Sequence, residues 1–205
     1  MKQSFYDKDY FERGLESGKS CYQNYRWEPE LTIPMAMTII DYLGIRKGER
    51  VLDFGAAKGY LVKALRLLYR DAWGYDVSKY ALSNADAATD PFCSDCDILE
   101  MSFDYCIAKD VFEHIEKEEL HTLLDKIKAN TLFVIVPLGD KNGYRAPNNN
   151  FDKSHIICED GVWWVNFLTS SKVWRVRDFK NRIDGIKDSY YKTYPEAHGF
   201  ITLKK

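Results

Sequence analysis

The chain has 205 residues, 45% hydrophobic, 15% aromatic and 29% charged, a globular composition that leaves out collagen-like, fibrous and disordered readings. Lys and Arg total 29 against 31 Asp and Glu; the formal net charge of −2 argues against general nucleic-acid binding. No apolar run approaches the ~18–20 residues that span a bilayer, so no membrane partner is expected.

Residues 1–28 are rich in Tyr, Phe, Gly and charge without clean periodicity, and read as an N-terminal arm or lid. The opening MKQSFYDKDYFERG lacks the apolar core of an export signal, which points to a cytoplasmic chain. Ser17-Gly18-Lys19-Ser20 ends like a phosphate-binding loop, but Arg13 stands where the first glycine belongs and no apolar strand precedes it. Pro34 suits the first turn of a helix carrying Met35, Ile39, Tyr42 and Leu43 on one stripe, with Gly44 as its stop. Arg50 to Phe54 reads as a buried strand, followed by Gly-Ala-Ala-Lys-Gly and a helix striped by Leu61, Val62, Leu65 and Leu68.

The alternation continues with a strand at Ala72 to Tyr75 and a helix at Ser78 to Ala85, Ser78 being the N-cap. A weak strand follows near Cys93 to Cys96. The five cysteines, Cys21, Cys93, Cys96, Cys106 and Cys158, read as reduced thiols, and the lone CxxC lacks the second ligand pair of a zinc knuckle. Tyr105 to Ala108 is an apolar strand, Leu120 to Ile127 a helix, and Leu132 to Val136 a strongly apolar strand before Pro137. Residues 138–154 are polar and read as a long loop, Gly161 to Leu168 as a helix, and Val173 to Phe179 and Gly199 to Leu203 as two closing strands. Strands alternating with helices predict an α/β fold with a mostly parallel sheet covered on both faces.

In such a sheet, ligands sit beyond the carboxyl ends of the strands at the topological switch point. The turn after the first strand, Asp53-Phe54-Gly55-Ala56-Ala57-Lys58-Gly59-Tyr60, is therefore the candidate ligand loop. A dinucleotide fingerprint needs a small residue where Tyr60 stands, and Asp53 would repel a pyrophosphate while favouring a cationic or hydroxyl-bearing ligand. A nicotinamide oxidoreductase is thus disfavoured.

This segment resembles motif I of class I S-adenosylmethionine-dependent methyltransferases, D-x-G-x-G-x-G, with Ala57 replacing the middle glycine; a negative backbone angle there would make the replacement cheap. Phe103 to Ile115, with its D-V-F-E-H-I stretch, resembles the fourth strand and following turn of members that modify small molecules and sugars. Asp152-Lys153-Ser154-His155 is similar to a D-x-x-H turn in the same group, and Tyr22 to Trp27 resembles arms on some of these enzymes. The resemblance covers about residues 29–205. It implies a Rossmann-like domain with a seven-stranded sheet, the last strand antiparallel, and S-adenosylmethionine as cofactor, leaving S-adenosylhomocysteine.

The resemblance further implies a cofactor site of Asp53, Gly55, Ala57 and Gly59 in the turn, Asp76 with Val77 at the ribose, and Asp97 with Ile98 at the adenine. Lys109 falls beside them at the end of the fourth strand. A guanidinium suits the methionyl carboxylate, so Arg26 is the arm's candidate contact, with aromatic packing on the sheet edge as its alternative. His114 and His155 are candidate bases with Glu113 beside them, since imidazole titrates near neutrality; structural capping is the other role open to both histidines. Asp110, Glu113, His114 and His155 together offer two carboxylates and two imidazoles, a possible but not favoured divalent-metal set. Trp163, Trp164, Tyr190 and Tyr191 are acceptor-pocket or core residues.

The function expected is methylation of a small molecule, first an O-methylation of a sugar or glycan precursor. N-methylation of a small amine is the alternative, and a catalytically silent cofactor-binding subunit stands beside both. The N/D-P-P-Y/F motif of nucleic-acid amino methylation is absent where Lys109-Asp110-Val111-Phe112 stands.

Overall fold

Two short helices open the chain in a computed structural model that describes residues 3–205: α1 (Lys8–Glu12) and α2 (Gly14–Ser17). Met1 and Lys2, the first residues of the expected arm, lie outside the described residues. Asp7 caps α1 by accepting from the Tyr10 amide, and Gly18 ends α2 in the left-handed region. The Gly18-Lys19 stretch thus sits at a helix C-terminus, the wrong pole for phosphate.

Next comes α3 (Pro29–Leu43), which starts one turn earlier than expected; Pro29 occupies its first turn and Pro34 lies inside it. The core then alternates: β1 (Arg50–Phe54), α4 (Tyr60–Leu67), β2 (Asp71–Tyr75), α5 (Lys79–Ser83), β3 (Cys93–Ser94), β4 (Phe103–Lys109), α6 (Lys117–Lys126) and β5 (Ala129–Pro137). The polar stretch after Pro137 is not featureless: it forms a two-stranded hairpin, β6 (Gly139–Asp140) with β7 (Gly143–Tyr144), and a 3-10 turn at Pro147–Phe151. The chain closes with α7 (Gly161–Thr169), β8 (Arg175–Lys180), α8 (Asp188–Tyr191) and β9 (His198–Lys204).

Seven strands form one sheet in the order β3-β2-β1-β4-β5-β9-β8. Neighbours from β3 through β5 pair in parallel, and β9 runs antiparallel to both β5 and β8. The expected α/β sheet with an antiparallel last strand is present. Its switch point lies between β1 and β4, where the chain leaves one half of the sheet for the other.

Alternate residues of the central strands feed two cores, as a sheet covered on both faces requires. Leu132, Val134 and Val136 of β5 pack with Leu52, Leu120, Leu124, Trp164 and Trp174 under α6 and α7. Phe133 and Ile135 pack on the other face with Val51, Ile39, Leu61, Leu65 and Tyr191, under α3, α4 and α8. The buried Trp174 indole donates to the Leu124 carbonyl at 2.9 Å, so that bulk enters without an orphaned donor. Trp164 and Tyr191, open to an acceptor-pocket role from sequence, are core residues here.

Leu132 is fully buried in β5. Leu132→Ala should lower unfolding free energy by about 2–5 kcal/mol, read as a fall in the urea midpoint with the slope unchanged.

Candidate active site

The site grows from the turn after β1. Gly55 and Ala56 both donate to the Tyr75 carbonyl at the end of β2, at 2.7 and 2.9 Å, which ties the turn to the neighbouring strand. Gly55 has φ +83°, and a Cβ there would meet Val111 Cγ2 at 2.2 Å, so only glycine fits. Ala57 departs from expectation: its φ is +50°, not negative. That left-handed state costs an L-residue roughly 1–2 kcal/mol. The Ala57 amide donates to Asp76 Oδ2 at 2.7 Å, which holds the turn in that state. Asp76 Oδ1 accepts from the Ser78 amide, also at 2.7 Å. Each carboxylate oxygen accepts more than one bond, so Asp76 keeps capacity for a ligand.

A cavity of about 470 Å³ opens above this turn. Gly55, Ala57, Asp76 and Val77 line it from β1 and β2, and Asp110, Val111 and His114 from the end of β4. Leu99 rather than Ile98 lines it, because Asp97–Glu100 is a 3-10 turn that sends Ile98 into the core and leaves Asp97 exposed. Tyr6, Tyr10, Phe11 and Tyr22 of the arm close its roof. The arm is anchored: Tyr10 donates to Asp152 Oδ2 at 2.9 Å, and Lys58 pairs with Glu12 at 2.5 Å. Arg26 is exposed and pairs with Glu28 at 3.4 Å, away from the cavity. Trp163 and Tyr190 do not line it either; Tyr190 stands edge-on to His198.

Four carboxyl groups stand near one another here, three of them buried and Asp110 half-buried, and they differ in what faces them. Burial pushes Asp76 upward while the two backbone amides pull it back. Burial also acts upward on Asp110, but Lys109 at 2.7 Å and Lys187 at 2.6 Å hold it well below the carboxylate range. Asp53 has neither a hydrogen bond nor an ion pair among the described residues. Burial pushes it up to about 7, Asp76 adding to the rise and Lys109 opposing it; Tyr25, Cys93 and Cys106 are its other titratable neighbours. Glu113 is wholly buried with both oxygens unpartnered, and burial, reinforced by Asp110, raises it strongly.

His114 and His155 meet beside Glu113, their ring centroids 4.6 Å apart. Each Nε2 is 3.9 Å from Glu113 Oε1, beyond hydrogen-bond reach. Burial, then the neighbouring His155, lowers His114 to about 4, and burial lowers His155 as well, so both rings are neutral near pH 7. His155 touches the cavity only through His114. Two residues without a sequence motif stand behind Asp110 rather than in the wall: Lys187, which pairs with it, and His198, whose ring nitrogens are both buried and unpartnered. Burial, with Lys187 next, pushes His198 down to about 3.

A nucleoside-sized cavity at the switch point, with a carboxylate at the second strand's end, defines a cofactor-binding α/β enzyme of the Rossmann-like class. Residues 33–157 match the family described as methyltransferase domain. The chain belongs to that family, and its fold is that of S-adenosylmethionine-dependent methyltransferases. No curated protein matches it in sequence. Among solved structures it is similar to the methyltransferase of a Haloferax volcanii complex with the Trm112 activator, at 14% identity and TM-score 0.66, over 86% of this chain and 91% of that one. It is also similar to magnesium protoporphyrin IX methyltransferase from Synechocystis PCC 6803 with bound S-adenosylhomocysteine, at 12% identity and TM-score 0.65, over 99% of both chains. A third is a SAM-dependent methyltransferase from Archaeoglobus fulgidus, at 17% identity and TM-score 0.59, over 83% of this chain and 92% of that one. No helix among the described residues is long and apolar enough to cross a membrane.

The buried Asp53 has a stability consequence with a definite sign. Its folded-state value of about 7 lies above the ordinary carboxylate value, so its burial weakens the fold progressively as pH rises from about 4 to about 7. Asp53→Asn removes that dependence. The variant should be more stable than wild type by roughly 1–3 kcal/mol at pH 8, with the difference shrinking toward pH 4, read by urea unfolding at both pH values.

Proposed function

We propose that the chain transfers a methyl group from S-adenosylmethionine to a hydroxyl of a small molecule, a sugar or glycan precursor. One observation carries the reading: Asp76, Gly55 and His114 line the same cavity. Asp76 takes the ribose hydroxyls, which a carboxylate accepts as a pair. Val77 and Leu99 offer apolar surface to the adenine, and Gly55, Ala57 and Gly59 let the backbone approach. Asp53, buried and unpartnered, favours the cationic end of the cofactor, with Lys109 beside it for the carboxylate. Asp53, Gly59 and Lys109 stand behind the cavity lining and would act from there, whereas Asp97, Ile98 and Arg26 lie outside the cavity and take no direct role in this reading.

The reaction is an in-line displacement. The acceptor oxygen bonds to the methyl carbon as the carbon–sulfur bond breaks, and the sulfur keeps the pair and becomes a neutral thioether. The donor is already activated by its charge, so alignment is the main contribution of the protein, worth up to ~7–11 kcal/mol in the best model reactions. His114, the imidazole in the cavity wall, is the candidate for the hydroxyl proton; Glu113 and His155 stand behind it. The aromatic residues of the arm act as a lid that excludes water from the cavity. A silent cofactor-binding subunit is the second reading, in which the cavity binds the cofactor without turning it over.

Titration calorimetry tests the cofactor. S-adenosylhomocysteine should bind, and Asp76→Ala should weaken it by about tenfold or more, the loss of a charge-assisted pair. S-adenosylmethionine affinity should fall as pH drops below about 7, because protonated Asp53 loses its attraction for a cation. Asp53→Asn should flatten that profile.

An acceptor screen following S-adenosylhomocysteine release tests the transfer. Sugars should turn over, and His114→Ala should lower kcat by about 10²-fold or more with cofactor affinity unchanged. A methylated amine would assign N-methylation instead. Cofactor binding without turnover on any acceptor would leave the silent subunit.

A further inference from the structure

Glu113 is an anomaly that methyl transfer alone does not explain. It is wholly buried, and neither carboxylate oxygen has a hydrogen-bond partner. Buried polar groups are almost always satisfied, and an orphaned carboxylate is among the costliest exceptions. What faces it makes matters worse. His114 Nδ1 lies 2.8 Å from Ser154 Oγ, and Ser154 Oγ gives its own proton to Asp152 Oδ1 at 2.5 Å. Ser154 therefore accepts from His114 Nδ1–H, which leaves the His114 Nε2 lone pair bare. His155 Nδ1 lies 2.8 Å from the Asn149 carbonyl, which only accepts, so His155 Nε2 is bare as well. Both bare nitrogens stand 3.9 Å from Glu113 Oε1.

The trio thus places two bare imidazole nitrogens and an unpartnered carboxyl group around one gap, with no hydrogen bond among them. Such a set calls for a cation at its centre. One ligand atom from each residue lies within 4.8 Å of the others. An ion with bonds of about 2.1 Å holds its ligands about 3–4 Å apart, a range that includes the 3.9 Å from each imidazole to Glu113. The histidines also carry the outer partners that metal-bound imidazoles have, each Nδ1–H fixed by an oxygen. Two imidazoles and one carboxylate suit zinc, manganese or cobalt better than magnesium or calcium.

We propose that Glu113, His114 and His155 bind one divalent transition-metal ion, leaving open coordination positions toward the cavity that His114 lines. This reverses the weight that the sequence alone gives to metal. It goes beyond the methyl-transfer reading, since the ion binds the chain without any acceptor; only its use rests on that reading. There, an acceptor hydroxyl occupies an open position and loses its proton to solvent. Its oxygen bonds to the methyl carbon, the carbon–sulfur bond breaks, and the sulfur keeps the pair. His114 is then a ligand rather than the base, and a vicinal diol, able to take two positions, becomes the favoured acceptor class.

The test uses the full chain, stripped with a chelator and titrated with Co²⁺ alone. One equivalent should bind, with visible absorption bands of cobalt in a low-symmetry nitrogen and oxygen site, and Zn²⁺ should displace it. Glu113→Gln and His155→Ala should each abolish those bands. Ser154→Ala, which frees only an outer partner, should weaken binding by about 10–100-fold. A second readout guards against misfolding. Metal-free Glu113→Gln should still melt cooperatively, yet gain nothing from added Zn²⁺, whereas wild type gains. The inference is overturned if stripped wild type binds neither ion, or binds it equally well in Glu113→Gln and His155→Ala. Cobalt binding with no turnover on any acceptor would sink the methyl-transfer reading and leave the metal site standing; turnover by a stripped chain that binds neither ion would do the reverse.

Discussion

Four carboxyl groups at one end of a parallel sheet, three of them buried and Asp110 half-buried, are the constraint around which this molecule is built. Taking a carboxylate out of water is expensive unless donors or cations replace the lost hydration. The chain solves this locally for two of them. Asp76 takes two backbone amides, and Asp110 takes two lysines. Asp53 and Glu113 are left with nothing among the described residues. Proteins keep such groups where a ligand completes them. The two positions differ in kind, and so do the ligands they suit. Asp53 retains a little exposure beside a glycine turn, where the cationic end of an organic cofactor can approach. Glu113 is sealed behind two imidazoles whose lone pairs point the same way, where a compact ion fits.

The arm belongs to this arrangement rather than to its surroundings. Tyr10 packs in a small aromatic cluster with Phe11, Tyr6 and Tyr22, and its hydroxyl reaches Asp152. Asp152 in turn orders Ser154, which orients His114. A hydrogen-bonded line therefore runs from the roof of the cavity to the imidazole in its wall. Opening the arm takes away one of the partners that hold that line, the Tyr10 hydroxyl on Asp152. Lys58 ties the arm to the glycine turn as well, so cofactor loop and roof are coupled at both ends.

What was legible in the sequence follows from how local each signal is. Asp53, Gly55, Gly59 and Asp76 sit at strand ends fixed by short hydrophobic runs, so their spacing carries their place. Glu113-His114 follows a strand in the same way. The phase at Asp97-Ile98 was lost because a two-residue strand gives way to a 3-10 turn, which moves the cavity-facing position to Leu99. Arg26 misled for another reason: charge suggested a carboxylate partner, but nearby Glu28 supplied one. Tyr6, Tyr10, Lys187 and His198 carry no motif at all. They reach the site through tertiary packing from both ends of the chain, and no periodicity records that.

Half of the backbone strain falls in the same place, the other non-glycine residues with positive φ, Asn24, Tyr69 and Lys172, lying elsewhere. Three non-glycine residues with positive φ border the cavity or its charged wall: Ala57 at +50°, Asp110 at +55° and Lys187 at +62°. Left-handed conformations at such residues persist only where the surroundings over-determine them, and they concentrate at functional sites. Each has its restraint here. Asp76 holds the Ala57 amide, and the Asp110–Lys187 pair holds the other two against each other. The strained turn after β1 delivers backbone toward a cofactor. The strained end of β4 carries Asp110 and sets the start of the turn that delivers Glu113 and His114. Topology, electrostatics and strain are independent observations, and they meet at the carboxyl ends of β1, β2 and β4. A sheet edge that served only folding would have no reason to carry all three.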